Sequence, residues 1–268
     1  MQKSSNPMPG FAPAAGAPGA NVIRTGTEGL EAGLVSLPAP DGPLPVYFAK
    51  PKGGSNLPVV LIAQEIFGLH EHIRDIARRF AKLGYAAIAP DYFHRRGDPL
   101  GAPDIAAIRV IVNATPDREI MRDFDAALAF AGENGGDVAR AAITGFCWGG
   151  RIAWLYAAHN PRLRACAPWY GRLDGDHTDN QPRWPIDVAA RLRVPALGLY
   201  GGDDPSIPAD LVDSMRARLR GAGARAEIVV YPGAPHAFFA DYRESYRETA
   251  ATDAWTRALA FLKENGVG

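Results

Sequence analysis

The sequence predicts an α/β fold in which helices cover both faces of a mostly parallel central sheet. Short apolar runs alternate along the chain with segments whose apolar residues recur at helical spacing, which is typical of parallel sheets. Several runs are continuously apolar, the pattern of a strand buried on both faces. The 268 residues suit one domain of this class, which can bury roughly three-quarters of its unfolded surface.

The N-terminal part divides into an arm and the start of the sheet. The chain begins with a stretch rich in Pro, Gly and Ala. We therefore expect residues 1–27 to form a flexible or loosely draped arm before a single domain over 28–268. Apolar runs at 30–38 and 44–49 bracket a Pro-Asp-Gly turn signal at 40–42, which predicts an antiparallel pair of strands.

Buried strands and amphipathic helices alternate through the first half of the domain. The continuously apolar run 58–63 predicts a buried strand, and the run 85–89 predicts another. Between them, apolar residues at helical spacing over 73–80 predict a helix. Residues 95–115 are expected to be irregular and polar, with helices whose positions the sequence leaves open, whereas 121–128 again show helical spacing.

The second half of the domain continues the alternation. A strand over 141–144 is followed almost at once by a helix over 151–158. Segment 171–183 contains glycines and aspartates and is expected to be a loop that shapes a site rather than the core. The remaining predicted elements are the strands 165–170, 196–200 and 226–231 and the helices 209–220 and 241–264.

The turn after the 141–144 strand has the sequence Gly-Phe-Cys-Trp-Gly at 145–149. A strand that turns directly into a helix strains the middle residue, and the crossing backbones leave no room for a Cβ on either side of it. This pattern predicts a nucleophile elbow with Cys147 as the nucleophile, whose thiolate the helix N-terminus favours. On these five residues alone, a buried and inert cysteine is the alternative.

Two further residues complete the order nucleophile, acid, histidine. Asp204 and His236 each follow a predicted strand, at the carboxyl edge where ligands bind in open α/β sheets. His236 would accept and return a proton, and Asp204 would orient its imidazole. Singly, Asp204 could be a turn former and His236 a surface-loop residue. The joint pattern with Cys147 favours the triad.

The loop after the 58–63 strand supplies two more candidates. Glu65 is expected beside the elbow, where burial next to a thiol would raise its pKa and allow proton exchange with the sulfur. An exposed loop glutamate is the alternative. The oxyanion hole is expected to use the backbone N–H groups of Trp148, the residue after the nucleophile, and of Ile66.

These motifs together resemble the dienelactone hydrolase (carboxymethylenebutenolidase) family, which has the α/β-hydrolase fold. The resemblance rests on Gln-Glu-Ile-Phe-Gly at 64–68, Gly-Tyr-Ala-Ala at 84–87 with the following Pro-Asp, the cysteine elbow and the two later loops. It covers residues 28–265.

The resemblance implies a function for each of these residues. A Cys-His-Asp triad would open an enol-lactone without a cofactor, with Cys147, His236 and Asp204 in those roles. The family pattern of the loop that begins at Gly201 selects Asp204 over its neighbour Asp203. Glu65 would pair with the resting thiol and help to generate the thiolate once substrate binds.

One feature departs from the family pattern. Its best-known members hold the substrate carboxylate with two arginines, one of them a few residues after the catalytic histidine. Here no arginine follows His236 before Arg243, and Arg109 is the candidate for the other. Aromatic candidates for substrate contact, with core packing as their alternative, are Phe67, Tyr92, Trp148, Trp169, Tyr170 and Phe238.

Composition excludes several classes of function. Basic and acidic residues both number 29, so the zero net charge indicates neither a nucleic-acid nor an anionic membrane partner. Two cysteines argue against a disulfide framework or a zinc cluster. No run approaches the ~18 apolar residues of a membrane span, and the first residues do not resemble a signal peptide. We expect a cytoplasmic monomer or weak homodimer that binds no metal.

The leading hypothesis is a cysteine-dependent hydrolase of a lactone or small activated ester. A carboxylesterase of broad specificity is the alternative within enzymes. A non-catalytic binding protein, in which Cys147 is a redox-sensitive thiol, is the alternative from another class.

Overall fold

The computed structural model describes residues 10–16, 18–39 and 41–268. Within them the strands are β1 (Leu30–Leu37), β2 (Leu44–Pro51), β3 (Leu57–Ala63), β4 (Ala86–Pro90), β5 (Gly136–Phe146), β6 (Ala165–Trp169), β7 (Ala196–Gly201) and β8 (Ala226–Tyr231). The α-helices are α1 (Glu71–Lys82), α2 (Ile105–Ala114), α3 (Asp117–Glu133), α4 (Trp148–His159), α5 (Pro185–Val188), α6 (Ala209–Gly221) and α7 (Glu248–Glu264). None of these helices is both long and apolar enough to span a bilayer.

The strands of the described residues form one sheet in the order β1-β2-β4-β3-β5-β6-β7-β8. β2 pairs antiparallel with β1 and β4, and the pairs from β4 to β8 are parallel. Residues 59–63 of β3 are all fully buried. Because successive side chains of a strand point to opposite faces, helices cover both faces there. The predicted fold class and the antiparallel pair are confirmed, although Pro40 of the turn signal lies outside the described residues.

The structure fixes one helix that the sequence left open and corrects the start of another. A regular helix, α2, forms within 95–115, where Asp104 provides an N-cap by accepting a hydrogen bond from the third helical residue. The C-terminal helix begins at Glu248, because residues 241–247 form turns instead. In those turns Asp241 is paired with His72 and Arg79, and the Tyr242 hydroxyl donates to the buried Glu65.

The described part of the N-terminal arm lies against the domain. Phe11 and Ala12 are buried, and the carbonyl of Gly10 accepts a hydrogen bond from the first residue of α1 at 2.8 Å. Gly19 donates to the carbonyl of Tyr242 at 3.0 Å. Residues 10–16 and 18–27 are therefore draped over the body of the protein, whereas 1–9 and 17 lie outside the described residues. The boundary between arm and domain stays a prediction.

Candidate active site

The elbow residue Cys147 lies between the end of β5 and the start of α4. Its backbone has φ +56° and ψ −117°, a conformation that non-glycine residues rarely adopt. Its N–H donates to the carbonyl of Trp169 at 3.1 Å, and its carbonyl accepts from the N–H of Gly150 at 2.9 Å. These two bonds fix the backbone on both sides of the Cys147 Cα. They hold its half-buried thiol at the N-terminus of α4.

Two glycines of the elbow are required by close packing of the backbone. A Cβ on Gly145 would overlap the carbonyl oxygen of Gly149, and a Cβ on Gly149 would overlap that of Ala63. The same packing brings the ends of β3 and β5 together, where Ala63 lies beside Gly145 in the parallel register. Glu65 and Cys147 each lie two residues further on, so the loops that contain them are neighbours.

Asp204 and His236 meet in the loops after β7 and β8. The Oδ2 atom of Asp204 lies 2.6 Å from Nδ1 of His236. Its Oδ1 atom accepts hydrogen bonds from the N–H of Ser206 at 2.9 Å and from the Ser206 hydroxyl at 2.5 Å. Asp204 is buried, whereas Asp203 is exposed, and the carboxylate that pairs with the imidazole is that of Asp204. The structure thus brings Asp204, and not Asp203, to His236.

The surroundings of His236 favour its protonated form. Burial by itself lowers the pKa of His236, but the neighbouring Cys147 and the hydrogen bond with Asp204 outweigh it and raise the pKa to about 10. Burial also raises the pKa of Asp204, but the hydrogen bonds with His236 and Ser206 more than offset this, so the pKa lies below its usual range. An imidazolium held by an ionised aspartate can stabilise a thiolate beside it.

Glu65 is completely buried behind the elbow. Its Oε2 atom accepts a hydrogen bond from the Tyr242 hydroxyl at 2.8 Å and lies 3.0 Å from Nε2 of His70. The expectation of a raised pKa is wrong. Burial alone would raise the pKa of Glu65, but the His70 bond and the charges of nearby His72 and Arg243 hold it at about 2. Glu65 is therefore a buried carboxylate.

The elbow opens into a cavity of about 780 Å³ at the carboxyl edge of the sheet. Five of the predicted site residues line it, and they are Ile66, Arg109, Cys147, Trp148 and His236. In the described part of the chain, no hydrogen bond engages the backbone N–H of Ile66 or of Trp148. Both groups are thus free to donate to a ligand beside the thiol, as an oxyanion hole requires.

Four aromatic side chains predicted to contact substrate belong to the core instead. All are buried and none lines the cavity: Phe67, Tyr92, Trp169 and Phe238. Trp169, for example, stacks on Phe146 and donates its Nε1–H to the hydroxyl of Thr144 at 3.0 Å. The equally buried Tyr170 is also a core residue. These side chains lie at or after the ends of strands, but all of them belong to the buried core.

The cavity wall comes largely from the 171–183 loop, which had been expected to shape a site. The lining residues from this loop and from Trp184, the N-cap of α5, are Arg172, Asp176, Thr178, Asp179, Asn180, Gln181 and Trp184. Ser206 lines the cavity from the other side. None of these residues was singled out from the sequence, and the loop-like composition of 171–183 was the one signal that indicated the region.

A buried arginine fixes two of the aromatic walls. The Arg151 guanidinium lies over the rings of both Trp148 and Trp184, 4.5 Å from each centroid, and the two rings are nearly perpendicular to each other. It is held by two hydrogen bonds to the carboxylate of Asp117, at 2.7 and 2.8 Å, and by one to the carbonyl of Arg183. Because Trp148 follows the nucleophile, this stack also fixes the first turn of α4.

Comparison with known proteins relates the site to one family. Residues 44–266 match the model of the dienelactone hydrolase family. The chain is 51% identical over 259 residues to an Escherichia coli protein named "Putative carboxymethylenebutenolidase", covering 96% of each chain. It is 33% identical over 222 residues, 81% of this chain and 88% of the relative, to a Bradyrhizobium protein named "Probable 2-oxo-3-(5-oxofuran-2-ylidene)propanoate lactonase".

A solved structure shows the same architecture. The crystal structure of a Klebsiella pneumoniae protein described as a "Putative Dienelactone Hydrolase" superposes with a TM-score of 0.86 at 51% sequence identity. The match covers 88% of this chain and 99% of the other.

Proposed function

This chain belongs to the dienelactone hydrolase family, whose members hydrolyse ester or lactone bonds, and we propose that it opens a lactone or small activated ester with Cys147 as nucleophile. The observation that supports this most directly is the hydrogen-bonded pair of His236 and Asp204 beside the strained, half-buried cysteine at the cavity. Family membership favours a hydrolase over a non-catalytic binding protein.

The proposed reaction proceeds through a thioester. The Cys147 thiolate attacks the acyl carbon, and the bond from that carbon to the ring or leaving-group oxygen breaks. The His236 imidazolium gives its proton to the departing oxygen, and then takes a proton from the water that attacks the thioester. Asp204 keeps Nδ1 protonated, so that Nε2 is the nitrogen that exchanges protons. Release of the carboxylic acid restores the thiolate and the imidazolium.

Two groups would support this chemistry around the reacting atoms. The free backbone N–H groups of Trp148 and Ile66 are proposed to bind the carbonyl oxygen as negative charge develops on it. Glu65, held as a carboxylate next to the elbow, is proposed to act before the first turnover, when Cys147 is a thiol and His236 a neutral imidazole, as the family resemblance implies. It would take the thiol proton and pass it on to Nε2 of His236, which leaves the thiolate, the imidazolium and an ionised Glu65. Glu65 must be ionised to accept a proton in this step.

The substrate is proposed to be a small lactone or activated ester with an anionic substituent. Arg109 and Arg172 both line the cavity and would bind the anion, with Asp176 and Asp179 further along the wall. Arg243, the first arginine after His236, lies over the Phe67 ring and does not line the cavity. The Bradyrhizobium relative, named as a lactonase of a propanoate, supports an anionic lactone.

A carboxylesterase of broad specificity remains the second candidate, because the aromatic wall of Trp148 and Trp184 can contact many acyl groups. Comparing kcat/KM for anionic enol-lactones and neutral aryl esters separates the two. A preference for the neutral esters would favour the second candidate. The cytoplasmic location and the monomeric or weakly dimeric state stay predictions.

Cys147→Ala tests the proposed nucleophile. We expect it to abolish hydrolysis and leave the circular dichroism spectrum unchanged, because the sulfur lies at the cavity and its removal creates little space in the core. Iodoacetamide should alkylate Cys147 before Cys166, which is fully buried and whose pKa burial raises. Substantial hydrolysis by Cys147→Ala, or the reverse order of alkylation, would exclude this role.

A further inference from the structure

The two carboxylate oxygens of Glu65 have different surroundings. Oε2 accepts from the Tyr242 hydroxyl and contacts Nε2 of His70, whereas Oε1 is buried without a hydrogen-bond partner. A buried carboxylate oxygen normally has donors around it. The bare oxygen therefore marks a position from which Glu65 can accept a proton.

His70 can serve as a donor to Glu65 without carrying charge. Its ring is fully buried, and its Nδ1 atom has no hydrogen-bond partner in the described residues. Burial, which outweighs the nearby carboxylate, lowers the pKa of His70 and favours the neutral ring. A neutral ring has one N–H, and only Nε2 has an acceptor, so the Nε2–H tautomer fits. Tyr242 and His70 are thus two neutral donors aimed at one oxygen.

We propose that His70 and Tyr242 are positioning residues of this hydrolase, which together anchor Oε2 of Glu65 as a carboxylate and keep Oε1 as the free base for the thiol. The inference rests on the proposed function, in which Glu65 accepts the proton of Cys147. Neither residue touches the cavity, so both act through Glu65.

The groups that face Glu65 from the surrounding elements are consistent with an ionised state. From the loop before α1 and its first turn come His70 and His72, and from the loop after β8 come Tyr242 and Arg243. The buried Tyr92 and Tyr170 also lie close enough to interact with the Glu65 charge. Arg243 is the permanent cation among them, and His72 is itself paired with Asp241. Tyr242 and His70 are the groups that bond to the carboxylate directly.

Packing explains why these donors keep their geometry. Phe11, from the N-terminal arm, contacts the rings of both Tyr242 and His70, with centroid distances of 5.2 and 5.9 Å. The two rings also contact each other at 5.1 Å. The carboxylate therefore has fixed donors in a site closed to water, which preserves the difference between its two oxygens.

Carbon-13 NMR of glutamate carboxyl groups tests the anchor without any substrate. The signal of the Glu65 carboxyl group is the one that disappears from the spectrum of Glu65→Gln. The pKa of Glu65 is then measured from that signal in the wild type, in Tyr242→Phe and in His70→Leu. We expect each variant to raise the pKa of Glu65 by about one to two units, because each removes a donor to a buried charge. His70→Gln, whose amide can still donate, should stay closer to the wild type than His70→Leu.

Tyr85→Phe is the matched control for the tyrosine variant. Tyr85 is also buried, and its hydroxyl donates to the carbonyl of Val267 at 3.1 Å, away from the cavity. Its loss should leave the Glu65 titration unchanged. An unchanged Glu65 pKa in Tyr242→Phe, or an equal shift in Tyr85→Phe, would overturn the anchor.

Kinetics test whether the anchor serves the reaction. Tyr242→Phe should lower kcat by about tenfold and leave KM within about twofold, since a misplaced base slows the chemical step. In a Glu65→Gln background, the same change should have almost no further effect on kcat. If Tyr242→Phe lowered kcat by a further tenfold in the Glu65→Gln background, Tyr242 would act independently of Glu65 and the inference would be overturned. Hydrolysis by Cys147→Ala would instead reject the proposed function and leave the titration result standing.

Discussion

Asp204→Asn tests whether the Asp204 carboxylate is needed for catalysis in a protein that still folds. In the wild type, Oδ2 faces the imidazole of His236 and Oδ1 accepts two hydrogen bonds from Ser206. An amide offers only one acceptor oxygen. If that oxygen faces His236, the amide NH₂ faces the two Ser206 donors. In the other orientation the NH₂ faces Nδ1 and favours the wrong tautomer.

The expected loss follows from this conflict. Replacing the triad aspartate of a serine protease by its amide lowers kcat about 10⁴-fold. A thiol is a better nucleophile at neutral pH and needs less help from a base, so we expect kcat for Asp204→Asn to fall between about 10²- and 10⁴-fold. The pKa of His236 should also fall, because the hydrogen bond with Asp204 is one of the causes that raise it.

The assay compares two neighbouring substitutions. Asp203 is exposed, and it is Asp204 that pairs with His236, so Asp203→Asn should keep kcat within about twofold of the wild type. Hydrolysis of an activated aryl ester gives kcat, and circular dichroism confirms that both variants fold. A greater loss for Asp203→Asn, or wild-type kcat for Asp204→Asn, would refute the assignment of Asp204 as the acid.

Two further substitutions test the base and the elbow. Glu65→Gln should lower kcat about 100-fold with little change in KM, since glutamine keeps the shape but cannot accept the proton; a change confined to KM would make Glu65 a binding residue instead. Gly149→Ala should destabilise the fold by about 3 kcal/mol in urea unfolding, because the new Cβ overlaps the carbonyl oxygen of Ala63. Gly221→Ala, where a Cβ meets nothing within 4 Å, is its control, and equal midpoints for the two would contradict this reason.

The strands and the elbow could be predicted because their signals are local. A buried parallel strand needs an unbroken apolar run, and the elbow needs glycines within two residues of Cys147 for steric reasons. The loops that follow these strands share the carboxyl edge, so the alternation placed Glu65, His236 and the Asp203–Asp204 pair at that edge, and the family pattern selected Asp204.

The composition of the cavity wall could not be predicted, because it depends on packing between distant segments. Trp169 and Trp148 both lie near the ends of strands, yet one is a core residue and the other lines the cavity. The wall instead includes Trp184, which Arg151 holds in place by a stack that no local spacing indicates. The low pKa of Glu65 was missed for the same reason, since one of its donors, Tyr242, is 177 residues away in the chain.

The position of Phe11 bears on where the protein can be cut for expression. The family match begins at residue 44, and a fragment trimmed to that boundary would lose both the edge strand β1 and the phenyl ring that covers Tyr242 and His70. Water would then reach the donors of the buried carboxylate. In such a shortened protein the Glu65 carboxylate would be more hydrated and less ordered than in the full chain, and measured activities would reflect that difference.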